Sequence, residues 1–199
     1  MKNVWLSVTV AVALIGVATT VQAIPITGAV TFAGGALLNT ASAGTATMVT
    51  GWNGGVGGPA NPFTISSSGN LATAALTPVA FTAPMLFNNP GQLSLWSYVS
   101  SISGTTFTFN LIASSIFSQG AGTVSVVGTG TIVASGAGSA GLSATPGTWT
   151  FTTSDPGTGT GPTFSFQAAT GAIPDGGTTV LLLGAALSGL CLIRRKLVA

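Results

Sequence analysis

Four stretches of the chain alternate apolar residues with Ser, Thr or Asn, and each opens on glycine: "GTTFTFNLIA" (104–113), "GTVSVVGTGTIVA" (122–134), "GTWTFTTS" (147–154) and "GPTFSFQA" (161–168). In an extended chain, residues two apart share a face. Phe107, Phe109 and Leu111 therefore line one side of a strand, as Trp149 and Phe151 line another, while Thr148, Thr150 and Thr152 turn the opposite way. The helical period is absent between these stretches, and shorter strands are predicted at 29–32, 45–49, 63–66, 71–76, 79–82 and 93–99. About ten strands separated by Gly, Pro and Asn turns predict an all-β fold, an antiparallel β-sandwich or jelly roll. The glycine starts fall 18, 25 and 14 residues apart, which is no fixed period and argues against a solenoid or propeller. The segments 51–62, 136–147 and 154–162 read as loops.

Both ends break this pattern. Residues 1–23 run from a positive Lys2 through an apolar stretch (Val4 to about Ala18) to small residues at Val21 and Ala23. These are the parts of a secretory signal peptide, with cleavage expected after Ala23. At the other end, residues 178–193 hold no charge and are followed at once by Arg194, Arg195 and Lys196. As a helix at 1.5 Å per residue this run spans about 24 Å, a short transmembrane helix whose flanking residues reach the interfaces. The basic cluster acts as a stop that stays in the cytoplasm, so both ends place the segment between them outside. Small residues spaced four apart, Gly184 with Ser188 and Ala185 with Gly189, suit close helix approach, although such residues are common in membrane spans. The expected organisation is a signal peptide (1–23), an all-β extracytoplasmic domain rich in Gly, Ser and Thr (24–171), and a C-terminal segment (172–199).

Immediately before the apolar run stands Ile173-Pro174-Asp175-Gly176-Gly177. Pro174 fixes its own φ and disfavours helix in the residue before it, and the glycines resist joining the helix that follows. The result is an extended peptide presented at the membrane face, suited to a processing enzyme. The order of motif, short apolar helix and basic cluster resembles the sorting signal of PEP-CTERM proteins, in the variant written VPDSG or VPDGG. Ile173 replaces the usual Val, and Gly176 stands where Ser is common. The resemblance implies recognition by an exosortase, a multi-pass, transpeptidase-like membrane enzyme with a cysteine nucleophile, which removes the anchor on the way to the cell surface. The order "GTGTIVASG" then "ATPGTWTFTTS" is also similar to bodies in that family, with a Thr-Pro-Gly turn leading into a Trp/Phe strand. A single-pass anchor with a Pro-Gly linker is the alternative for the C-terminal segment.

Charge sharpens the division. Of six charged residues in 199, only Asp155 lies between Ile24 and Ile173, so the body has no basic surface for nucleic acid. There is no His, which removes Ser-His-Asp and Cys-His catalysis and His-based metal sites. Cys191 is the single cysteine and lies in the apolar run, where a thiol is inert. Asp155 and Asp175 are too few for calcium, and removing the C-terminus would leave one carboxylate where glycoside hydrolysis needs two. Asp155, before Pro156-Gly157, is expected to open a β-turn. No catalytic residue, metal or cofactor is expected. The expected role is structural, at the cell surface or in an extracellular matrix, with the exosortase and the membrane as partners and exopolysaccharide as a candidate third. A carbohydrate-binding module is the alternative for the body. Trp96 with Tyr98, and Trp149 with Phe151, have the spacing of core pairs, whereas Trp52 in a glycine-rich stretch is the candidate ligand contact.

Overall fold

The alternating segments form the strands they predict. The computed structural model describes residues 23–54, 60–155 and 163–168, the last six as backbone. The strands are β1 (Ile24–Pro25), β2 (Ala29–Ala33), β3 (Gly35–Leu38), β4 (Met48–Asn53), β5 (Phe63–Ser67), β6 (Ala80–Phe81), β7 (Met85–Leu86), β8 (Gln92–Val99), β9 (Thr105–Gly120), β10 (Thr123–Gly136), β11 (Leu142–Ser143), β12 (Thr145–Ser154) and β13 (Thr163–Ala168), with one 3-10 turn at Gly69–Leu71. They belong to one compact unit, Ala23–Gly171. Among the described residues no helix is long and apolar enough to cross a membrane. The predicted signal peptide, apart from its last residue Ala23, and the whole sorting segment lie outside the described residues.

Eight strands make one antiparallel sheet in the order β5-β2-β13-β12-β10-β9-β8-β6, beside a three-stranded sheet β3-β4-β7 and a parallel pair β1-β11. The large sheet does not lie flat. Strands β2 and β8 are five places apart in it, which would separate them by about 24 Å at ~4.8 Å per strand. Yet the Phe32 ring of β2 is 5.0 Å from Trp96 and 6.2 Å from Tyr98, both on β8. The sheet curls back on itself, and its two ends are joined. Val79 donates to the Pro62 carbonyl at 2.8 Å, Thr64 to the Thr77 carbonyl at 3.0 Å, and Phe63 pairs with Pro78. Joining the ends protects them, which matters in a chain without the charged residues that usually blunt sheet edges.

Inside the curl lie Val30, Phe32, Trp96, Tyr98, Phe107, Phe109, Trp149 and Phe151, all buried. Trp96 stacks on Phe109 at 5.5 Å, and Trp149 on Phe151 at 5.9 Å. Each such side chain removes roughly 150–250 Å² from water, so these aromatics dominate the core. The small sheet packs on the large one through Trp52 and the buried Val49 and Met85. The architecture is all-β and consistent with a sandwich in which one layer is far larger than the other.

Three local expectations are corrected. Residues 71–76 form no strand, because Leu71 ends the 3-10 turn and Leu76 is held at positive φ in a turn. The stretch Thr145-Pro146-Gly147 is not a turn but the start of β12, with the Thr145 hydroxyl turned inward to accept the Ile26 amide at 2.8 Å. Strand β9 continues seven residues past Ala113, to Gly120. Its pairing with β10 slips at two bulges, which leave Ile112 and Phe117 as extra residues on β9. Each bulge reverses the in-out alternation, so that Ile116 packs against the core.

Candidate functional site

Trp52 lies on β4 and not in a loop. The β3-β4 pairing shifts so that Leu37 faces Gly51 and Leu38 faces Val49, leaving Thr50 as an extra residue. Strict alternation would turn Val49 and Trp52 to opposite faces; with the bulge both serve the core. The indole is half-buried, 4.8 Å from the Phe81 ring and 5.6 Å from Phe151, and its Nε1–H donates to the Thr82 carbonyl at 3.0 Å. Trp52 thus joins the small sheet to the large one, and its polar handle is occupied within the protein.

Asp155 follows the last residue of β12, and its backbone N–H donates to the Gly122 carbonyl at 2.8 Å in the β9–β10 turn. The carboxylate Oδ1 accepts the Ala43 amide at 2.6 Å and the Ser42 hydroxyl at 3.0 Å. Beside it, Gln119 Nε2 donates to the carbonyls of Ala43 and Ala46 at 2.9 and 2.6 Å. Gly122 has φ +78°, and a Cβ there would stand 2.8 Å from Asp155 Oδ2, so only glycine fits. The one charged side chain among the described residues is therefore a tether that fixes the 39–47 loop to the hairpin tip. No local pattern marks these partners, which are more than 110 positions away along the chain.

Tyr98 is the other ionisable group inside. Burial raises its ionisation well above the usual value near 10, and its hydroxyl donates to the Leu71 carbonyl at 2.6 Å. It serves as a structural hydrogen-bond donor.

The segment that carries sorting chemistry, Ile173, Pro174, Asp175, Gly176 and Gly177 with the stop Arg194, Arg195 and Lys196, lies outside the described residues and is defined by its order in the sequence. Residues 172–197 match the family model described as the VPDSG-CTERM motif. No curated protein and no solved structure matches the chain. The match starts one residue before Ile173 and ends one after Lys196, so it takes in the motif, the apolar run and the basic cluster together. Such a motif implies an exosortase-type processing partner and is consistent with an exported protein that passes a membrane. Residues 172–197 are a VPDSG-CTERM motif, a variant of the PEP-CTERM-like sorting signal.

Proposed function

We propose that this chain is an exported structural protein of the cell surface or extracellular matrix, delivered by a cleaved N-terminal signal and released from its C-terminal anchor by an exosortase-type enzyme. The VPDSG-CTERM match at 172–197 is the observation that carries the proposal. In this reading residues 1–23 form the signal helix, 178–193 cross the membrane, and Arg194, Arg195 and Lys196 hold the tail in the cytoplasm. In this reading the body has no catalytic role, which is supported by a sequence that offers no histidine to activate a nucleophile and by a single carboxylate that bonds the 39–47 loop. Its near-neutral, hydroxyl-rich surface favours association with neutral matrix material, exopolysaccharide included.

Intact mass of the protein from membrane and surface fractions, in cells with and without the exosortase, tests this. The expected species lacks residues 1–23 and the segment after Gly177, and appears only when the enzyme is present. A full-length C-terminus in both strains would overturn the sorting role and leave a permanent single-pass anchor. A carbohydrate-binding body is the competing reading, and the internal engagement of Trp52 supports the structural role over it.

A further inference from the structure

We propose that the outer face of the β8–β9 corner is a self-association surface, where two copies of this chain meet through Leu93, Ile112 and Phe117. The inference rests on the structural role proposed for the body and is independent of how the C-terminus is processed. Strand β8 pairs with β9 no further than Leu111, opposite Gln92. Beyond that point β9 runs on to Gly120 with β10 on one side. On the other side Asn89 exchanges backbone hydrogen bonds with Ser114 at 2.9 and 3.2 Å, and Asn88 Oδ1 accepts the Ile116 amide at 3.2 Å. The two formal ends of the sheet are bridged, while along this overhang the neighbour of β9 is the bonded segment 87–89 and not a strand of the sheet.

The overhang and the adjoining bulge of β8 also carry exposed apolar side chains. The two bulges place Ile112 and Phe117 outside, 59% and 75% exposed. Leu93, 80% exposed, lies in the bulge of β8, which the outward-facing Asn110 holds by accepting the Ser94 amide at 2.8 Å. Exposed Ala113 and Ser115 between the two β9 side chains leave room for a partner's residues. Isolated exposed apolar residues are ordinary; here three stand at bulges of the neighbouring strands β8 and β9, two of them five residues apart on β9.

Charge selects the occupant. Among the described residues the only charge is Asp155, already bonded to Ser42 and Ala43. A charged partner would have to bury its ions against a face that offers no counter-charge, at a cost of several kcal/mol each. A second copy brings the same uncharged stripe, and a two-fold contact requires only that a patch match itself. Net charge near zero sets up no long-range repulsion against such an encounter.

The test uses the full chain in the cell envelope, with Cys191→Ser to remove the native thiol. Ser115→Cys is introduced at the centre of the stripe and, as a control, Ser66→Cys at an exposed position of β5, a strand that does not pair with β8 or β9. With a mild oxidant the Ser115→Cys chain is expected to give a disulfide-linked dimer at least about tenfold more abundant than the control. Adding Ile112→Thr and Phe117→Ser is expected to abolish it without lowering the thermal midpoint. Equal cross-linking at both positions, no dimer from either, or retention of the dimer in the stripe variant each overturns the proposal. If no dimer forms and the stripe variant instead loses retention on neutral polysaccharide, the face belongs to a glycan. Intact mass on the same samples reports C-terminal trimming separately, so failure of the sorting role and failure of the contact are distinguishable.

Discussion

The body and the C-terminal segment of this protein carry information in opposite ways. In residues 24–171 the message lies in spacing: apolar residues two apart build a curled sheet, and many substitutions that keep the spacing would keep the fold. In residues 172–197 the message lies in the order of a few parts, and a match to a sorting family comes from that stretch alone. A fold of this kind reveals how the chain stands up and little about its errand, whereas a peptide signal reveals the errand without needing a fold. The two should therefore fail independently when mutated.

The largest expected effect breaks the signal and spares the body. Replacing Ile173–Gly177 with five alanines removes the proline and glycines, the residue types that disfavour helix, from the matched motif. C-terminal trimming should be lost entirely in the mass spectrum, while the thermal midpoint of the body stays unchanged. Persistent trimming at the same site would show that the enzyme reads something other than this motif.

The reverse experiment breaks the body. Trp149 is fully buried and stacked on Phe151, so Trp149→Ala should cost about 3–5 kcal/mol by loss of burial and a residual cavity. Denaturant midpoints should fall accordingly, yet whatever chain reaches the membrane should be trimmed normally. If trimming fails in step with folding, the two regions are not independent.

What the sequence disclosed follows the same line. Phe107, Phe109 and Leu111, with Trp149 and Phe151, were legible as inward pairs because their strands are regular there. Trp52 and the distal half of β9 were not, because a bulge inserts one residue and reverses every later side chain, and nothing in a local pattern marks the insertion. The Asp155 tether was hidden for another reason. Its partners, Ser42 and Ala43, meet it only once the chain has folded, and small polar residues of that kind recur throughout the body. The C-terminal signal needed no such three-dimensional assembly, which is why it was readable whole.

Two intermediate substitutions sharpen the view of the body as scaffold. Trp52→Ala should cost about 2–3 kcal/mol, since it removes a half-buried ring packed on Phe81 and Phe151 and leaves the Thr82 carbonyl short of a donor. Retention on neutral polysaccharide should be unchanged once folding is restored by lower temperature. Loss of retention without loss of stability would instead establish the carbohydrate-binding alternative. Asp155→Ala should cost less, about 1–2 kcal/mol, by leaving the Ala43 amide without its carboxylate acceptor. Faster hydrogen exchange confined to residues 39–47 and the 120–122 turn would locate the loss.

The smallest expected change is at Phe117. Its ring is three-quarters exposed on the extra residue of a bulge, so Phe117→Ser removes almost no buried surface and should shift stability by no more than about 0.5 kcal/mol. The contrast with Trp149, on the inner face of the same sheet, separates two uses of an aromatic residue. An inward ring contributes to folding and is expected to be silent in association; an outward ring is expected to behave the other way. A loss of several kcal/mol on Phe117→Ser, measured on dilute protein where copies do not meet, would mean that the ring is packed within its own chain and is no contact surface for another.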